Sequence, residues 1–161
     1  MLESRSQRTV LVVVLLTLLL AGPAGLIGPA DSGGSQVGEG TAELAIREPV
    51  DGPLLVDRGR FGTGVFYLRT PDLAAEVRSV TGSPRVRYEV RVPSLGVERS
   101  GHRVLHASDA GSVITVPLAD HAVPRARLDA ETHRARVLVR VQSFTGQHVV
   151  TNRTLPVEVR R

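Results

Sequence analysis

The stretch that decides the fold is Arg85-Val86-Arg87-Tyr88-Glu89-Val90-Arg91-Val92, in which charged and apolar side chains alternate. A period of two over eight residues is typical of a β-strand that has one face on a core and the other in water. The pattern therefore predicts that the valines and Tyr88 pack inward. The charged side chains of the same strand are expected to face solvent.

A second stretch of the same kind is Ala135-Arg136-Val137-Leu138-Val139-Arg140-Val141. Weaker strand patterns, separated by Gly and Pro turn signals, recur along the rest of the chain. They cover residues 42–46, 64–69, 75–80, 103–107, 112–118 and 149–159. Thr145-Gly146 lies between two such stretches and predicts a hairpin of the last two strands.

Short strands with recurring turn signals predict an all-β domain, namely an immunoglobulin-like antiparallel β-sandwich of about seven or eight strands. One irregular connection, residues 124–133, precedes the penultimate strand. It resembles the Leu-Asp-x-x-x-Tyr corner that immunoglobulin-like sandwiches carry at this place, with His133 in the position of the tyrosine.

The N-terminal part of the chain carries a membrane-targeting pattern. Arg5 and Arg8 precede an uncharged run from residue 9 to residue 30. As one helix this run is about 30 Å long, enough to cross a bilayer, and its flanking charges favour an N-terminus inside the cell. Its Leu/Val block has the length of a signal-peptide core, and Gly-Pro-Ala triplets at 22–24 and 28–30 resemble cleavage sites. A cleaved signal peptide is therefore the alternative to a retained anchor.

We divide the chain into four segments on this basis. Residues 1–8 are a cytoplasmic N-terminus, 9–30 a transmembrane anchor or signal peptide, 31–42 a flexible linker and 43–161 an extracytoplasmic β-sandwich domain. The expected location is the cell membrane, as a single-pass protein whose C-terminal domain lies outside the cytoplasm. If the signal is cleaved, the protein is secreted.

Composition narrows the classes of function. The chain has no cysteine, so its exported domain must be held by its core or by a partner. All 20 of its Lys and Arg residues are arginine, and the formal net charge is only +4. Aromatic residues make up 3% of the chain, too few for a surface that stacks single-stranded bases. We therefore expect no nucleic-acid partner.

Candidate catalytic and metal-binding residues do not form a recognised motif. The histidines are His102, His106, His121, His133 and His148. On a strand the first two would lie about 13 Å apart, too far to share one ion. Two Ser-His-Asp sets can be assembled, without a G-x-S-x-G motif, from Ser100, His102 and Asp109 or from Ser112, His121 and Asp120. We predict no catalytic residue, no metal and no cofactor, hence no enzyme; a metal-dependent enzyme stays an alternative.

Arginines at alternate positions form a row on each of the two clearest strands. The candidate anion-binding residues are Arg85, Arg87, Arg91, Arg136 and Arg140. If the two strands are neighbours, the rows form one basic patch suited to acidic glycans, lipid headgroups or an acidic protein. Glu89 interrupts the first row, and pairing of these arginines with acids such as Glu98 is the competing interpretation.

Two further patterns concern an exported protein. Asn152-Arg153-Thr154 is an N-glycosylation acceptor by pattern, which makes Asn152 a candidate for modification in a host that glycosylates. The stretches Arg58-Gly-Arg-Phe-Gly-Thr-Gly-Val-Phe-Tyr-Leu-Arg69 and Val139-Arg-Val-Gln-Ser-Phe144 resemble the small exported or membrane-anchored single-β-domain proteins of halophilic archaea. That family has no assigned activity, so the resemblance implies no catalytic residue.

Together these patterns favour a non-enzymatic, membrane-tethered extracytoplasmic β-sandwich that acts as an adaptor or envelope component. Its expected partners are the membrane, through the N-terminal segment, and another envelope protein or an anionic polymer. The alternative is a binding module for an anionic glycan, a lipid headgroup or an acidic protein through the arginine-lined strands. The oligomeric state stays open.

Overall fold

The computed structural model describes residues 38–47, 52–59 and 64–160, which belong to one unit spanning Ser35–Arg161. The predicted cytoplasmic N-terminus (1–8) and the predicted anchor or signal peptide (9–30) lie outside the described residues, as do residues 31–37 of the predicted linker. Four residues of the first stretch that resembles the archaeal proteins, 60–63, also lie outside them. In the described ranges no helix has both the length and the apolar character needed to cross a membrane.

The described residues form ten strands and three single-turn 3-10 helices. The strands are β1 (Gly40–Ile46), β2 (Leu54–Arg58), β3 (Phe66–Arg69), β4 (Leu73–Gly82), β5 (Arg85–Val92), β6 (Val97–Val104), β7 (Val113–Val116), β8 (His121–Val123), β9 (Thr132–Ser143) and β10 (Gly146–Val159). The 3-10 helices span Pro93–Leu95, Ala107–Asp109 and Arg125–Arg127. The all-β prediction is thereby confirmed.

The strands are arranged in two sheets. The smaller sheet has the order β1-β4-β7, and the larger has the order β6-β5-β9-β10-β2-β3-β8. Every pairing is antiparallel except that of β10 with β2, which is parallel over three residues. β5 and β9, the two strands with the clearest alternation, are direct neighbours in the larger sheet.

One hydrophobic core is built from the inner faces of both sheets. The smaller sheet contributes residues such as Leu73, Val77 and Ile114, and β5 contributes Val86, Tyr88, Val90 and Val92, each fully buried. The four inward residues of β5 are those that the alternation predicts. Because the core occupies this face, the alternate residues of β5 and β9 lie on the opposite face of the larger sheet.

The predicted strands match the structure where the alternation is strong. β5 has the predicted bounds, and β9 and β10 form the hairpin predicted from Thr145-Gly146. β1 begins at Gly40, so residues 40–42 belong to a strand and not to the linker.

The prediction is wrong where strands are short or lie at a sheet edge. The expected total of seven or eight strands is too low, because β2 and β8 have only five and three residues and were missed. The strand expected at 103–107 instead ends at Val104 and begins at Val97. β6 is an edge strand in which Gly101 takes an inward position, and a Cβ there would lie 2.4 Å from the carbonyl oxygen of Pro117. The strand therefore lacks an apolar repeat.

The buried Tyr88 predicts a loss of stability in alkali. Burial, with a smaller contribution from the charge of Asp72, raises the pKa of Tyr88 to about 12 from an ordinary value of 10.0. As the pH rises, the Tyr88 phenol therefore loses its proton in the unfolded chain before it does so in the folded protein. The stability that the protonated phenol contributes is complete below pH 10 and is lost as the pH rises from 10 to 12. At ~1.4 kcal/mol per pH unit we expect unfolding free energy to fall by about 3 kcal/mol.

Urea unfolding between pH 9 and pH 12 measures this change. The Tyr88→Phe variant has no phenol at this buried position and should show a correspondingly smaller fall. Identical pH profiles for the two proteins would contradict the assignment to Tyr88.

Candidate anion-binding site

The pairing of β5 with β9 brings the predicted arginines together on one face of the larger sheet. Arg87 lies directly opposite Arg140, and Arg91 lies directly opposite Arg136. Arg85 is opposite the neutral Gln142 at the end of the same ladder. The two rows of arginines are therefore adjacent in the sheet; we call these five arginines the arginine face.

Two of these cross-strand pairs place like charges side by side. Side chains directly opposite in an antiparallel ladder have Cβ atoms about 4.5–5.5 Å apart, and like charges there are destabilising. Opposite-charge residues at the same positions would stabilise the sheet. The pairs Arg87/Arg140 and Arg91/Arg136 thus cost folding free energy unless a counter-charge lies between them.

Glu89 supplies part of that counter-charge from the centre of the face. Its carboxylate accepts a hydrogen bond from Arg140 Nη2 at 2.9 Å and forms an ion pair with Arg91 Nη2 at 2.5 Å. Arg87 Nε lies 3.4 Å from the same carboxylate. The expectation that Glu89 faces solvent is wrong, because the three surrounding arginines leave it 1% exposed.

The outer parts of the face have weaker partners. Glu98 on β6 forms an ion pair with Arg91 at 2.9 Å, as the cross-strand interpretation anticipates. Arg136 Nε donates to Asn152 Oδ1 at 3.0 Å, and Arg140 Nη1 donates to Gln147 Oε1 at 3.2 Å. Both acceptors on β10 are neutral, so they orient the guanidinium groups without cancelling their charge.

A cleft of about 240 Å³ opens at this place, and Glu89, Arg91, Arg136, Leu138 and Arg140 line it. Leu138 lies directly opposite Glu89 and is the apolar member of the lining. The buried Nε atom of Arg140 has no hydrogen-bond acceptor among the described residues. The cleft therefore combines three guanidinium groups with one carboxylate.

Asn152, the candidate glycosylation site, adjoins this cleft. Its side chain is exposed, and its position on β10 is directly opposite Leu138. The same side chain holds Arg136 in place through the hydrogen bond already described. A glycan on this asparagine would stand beside the arginine face, and its presence stays a prediction.

The histidines lie in separate parts of the fold. His133 is buried on β9 and its Nδ1 atom is 2.9 Å from Ser94 Oγ. His102 lies on β6, His121 on β8 and His148 on β10. Across the described ranges no three His, Asp or Glu side chains are grouped so that they could hold a metal ion.

The aspartates of the two hypothetical Ser-His-Asp sets have other partners. Asp109 accepts a hydrogen bond from the backbone of His106 and forms an ion pair with Arg103. Asp120 forms an ion pair with Arg69, which also binds Asp57. These two carboxylates raise the pKa of Arg69, with Asp120 the larger cause. In the described structure both aspartates therefore form ion pairs with surface arginines, and Asp109 also accepts a hydrogen bond from loop backbone.

Sequence reasoning missed the part played by Glu89, Leu138 and Gln147. A single acid inside a row of arginines was a signal for the first of them. No local signal existed for the other two, because their places in the site follow from the register of β9 with β5 and β10.

Comparisons with protein-family models, with curated proteins and with solved structures find no match to this chain. The interpretation of the arginine face accordingly depends on its own geometry and charge.

Proposed function

We propose that this chain is a non-enzymatic extracytoplasmic binding module that recognises an anionic partner through its arginine face. The observation that carries the proposal is the juxtaposition of Arg91 with Arg136 at the mouth of a cleft. Glu89 and Glu98 compensate Arg91, whereas the hydrogen-bond partner of Arg136 in the described structure is the neutral Asn152, so a bound anion would reduce the repulsion that remains in this pair. A binding function explains why the arginines stand together better than a purely structural one does.

The charge of the cleft supports the same proposal. Three arginines and one glutamate line it, which leaves two positive charges without a counter-charge in the lining. Arginine presents a planar fork of donors that matches carboxylate, sulfate and phosphate oxygens. Such a surface suits an acidic glycan, a lipid headgroup or an acidic protein. The adaptor or envelope role expected from the sequence is thereby narrowed to the binding of an anionic partner.

The architecture we propose for this module is an immunoglobulin-like β-sandwich. Two sheets that share one core and the β9–β10 hairpin support it, as does the irregular connection before β9. We further propose that residues 9–30 hold the module outside the cytoplasm, as an anchor or as a cleaved signal. Mass spectrometry of the mature N-terminus distinguishes these two forms of attachment.

Removal of two cleft arginines tests the proposed binding. We expect Arg91→Gln combined with Arg136→Gln to weaken binding to a sulfated polysaccharide at least tenfold at low salt. The physical reason is the loss of two charge-assisted contacts, each worth ~1.5–3 kcal/mol. Biolayer interferometry over a range of NaCl concentrations measures the affinity and its weakening by salt.

The matched control is Arg47→Gln combined with Arg78→Gln. Both of these arginines pair with glutamates of the smaller sheet, at 2.8 and 3.2 Å, so the control removes the same net charge elsewhere. Equal weakening by the two double variants would show attraction by net charge alone and would contradict a defined site. Failure of the unaltered protein to bind any polyanion at low salt would contradict the function itself.

A further inference from the structure

We infer that the Arg91/Arg136 pair holds one dianionic tetrahedral oxyanion, of the phosphate monoester or inorganic phosphate class, and that Glu98 occupies part of this subsite until the anion displaces it. The inference depends on the proposed function and names the ligand chemistry of the same site. It concerns the part of the cleft lined by Arg91 and Arg136, on β5 and β9, which lie between β6 and β10 in the larger sheet.

The shape of the anion follows from two arginines at opposite positions of the ladder. Arg91 and Arg136 are directly opposite each other in the ladder, and each lines the cleft. A planar carboxylate has two oxygens and is matched by the fork of one arginine. A tetrahedral group offers at least three acceptor oxygens, so it can accept from both arginines at once.

The free donors of the subsite lie on Arg136. Its Nε atom is hydrogen-bonded to Asn152, and its terminal amino groups have no hydrogen bond or ion pair within the described structure. Asn152 thereby fixes the plane of the guanidinium group while leaving its two Nη atoms available. Arg136 is thus an oriented cation with its outer donors unused.

The charge of the anion follows from the two glutamates. Glu89 is buried and contacts three arginines, so it remains in place as a permanent counter-ion. With Glu89 retained and Glu98 displaced, the three cleft arginines leave two uncompensated positive charges. A dianion balances them, whereas a phosphodiester or a carboxylate supplies one negative charge.

Glu98 is the displaceable group because its environment differs from that of Glu89. Its side chain is 60% exposed, and among the described residues its ion pair is with Arg91 alone. Exposed ion pairs contribute little to stability, so an anion of higher charge can replace this carboxylate at small cost. Glu98 then acts as an internal competitor that lowers the apparent affinity of the subsite.

Calorimetric titration with sodium phosphate at pH 8, against sodium acetate at matched ionic strength, tests the inference on the full-length protein. We expect phosphate to bind at least fivefold more tightly than acetate. Glu98→Gln should tighten phosphate binding about three- to tenfold, and Arg136→Gln should weaken it at least tenfold. Circular dichroism of each variant establishes that it is folded.

The matched control for Glu98→Gln is Glu43→Gln. Glu43 is 62% exposed and pairs with Arg78 on the smaller sheet, so its substitution changes the net charge equally at another place. Equal tightening by the two variants would overturn the role of Glu98. Acetate binding as tight as phosphate binding would overturn the tetrahedral dianion.

Either of those results leaves the polysaccharide binding of the proposed function standing, provided that the Arg91/Arg136 double variant still weakens it. Failure of the unaltered protein to bind either phosphate or the polysaccharide would instead refute the proposed function. The two failures are therefore distinguishable.

The source of the phosphate is identified with vesicles. Co-sedimentation with phosphatidic acid vesicles, which carry a phosphate monoester, would assign the subsite to a lipid headgroup. Phosphate binding without such co-sedimentation would assign it to a soluble monoester or free phosphate. Equal co-sedimentation with phosphatidylglycerol, a phosphodiester, would contradict the preference for a dianion.

Discussion

Replacement of Glu89 by glutamine should lower the free energy of unfolding by about 3 kcal/mol, one of the two largest losses that we expect from a single substitution. The carboxylate is 1% exposed and contacts Arg87, Arg91 and Arg140. Removal of a buried acid from an ionic network leaves its partly exposed arginines without their shared counter-charge, which typically costs several kcal/mol. In this variant the like-charge pair Arg87/Arg140 also loses the only acid that contacts both of its members in the described structure.

Urea unfolding followed by circular dichroism measures this loss, and an unchanged m-value shows that the midpoint reports stability. Glu98→Gln is the control, because an exposed ion pair on the same face should contribute less than about 1 kcal/mol. A sulfate salt should stabilise the Glu89→Gln variant more than it stabilises the unaltered protein, since the anion replaces the missing charge. Equal stability of Glu89→Gln and the unaltered protein would refute the counter-ion role.

Replacement of Tyr88 by alanine should cost about 4 kcal/mol for a different physical reason. Tyr88 precedes Glu89 in β5 but points to the core, where it is the largest fully buried side chain of the described structure. Truncation of a buried aromatic ring removes its contacts and leaves a cavity, at a cost of ~3–5 kcal/mol.

Tyr88→Phe separates the ring from its hydroxyl group. The hydroxyl donates a hydrogen bond to the carbonyl oxygen of Pro71 at 3.1 Å, so its loss alone should cost about 1 kcal/mol. The same urea measurement gives both values. A loss in Tyr88→Ala no larger than that in Tyr88→Phe would contradict the placement of the ring in the core.

The two substitutions show which part of the fold the sequence predicts. Alternation along β5 identifies the core face, because a strand puts successive side chains on opposite sides whatever its neighbours are. The environment of Glu89 depends instead on which strand is paired with β5. Arg140, its hydrogen-bonded partner, is 51 residues away in the chain, and only the pairing of β5 with β9 brings it near.

Edge strands limit the prediction of the fold for a related reason. β6 has one strand partner in the larger sheet, and few of its side chains are buried. Without a buried face a strand needs no apolar repeat, so its bounds cannot be read from periodicity. β2 and β8 are too short for any period to be recognised.

The sequence predicts three of the arginines that line the cleft, Arg91, Arg136 and Arg140, but not the geometry of the site. Alternation places the arginines away from the core, and all five share one face of the sheet in the structure. Their register, which sets Arg91 against Arg136 and Leu138 against Glu89, follows from the strand pairing. The cleft therefore emerges only when two strands that are distant in the chain are aligned.

The most direct test of the arginine face is a nuclear magnetic resonance titration of the isotope-labelled protein with a short sulfated oligosaccharide, observing the arginine Nε–Hε signals. We expect saturable shifts at Arg91, Arg136 and Arg140 that diminish as NaCl is added, with Arg47 and Arg78 unchanged. Saturable shifts confined to Arg47 and Arg78, or no saturable shift at any arginine, would contradict this expectation.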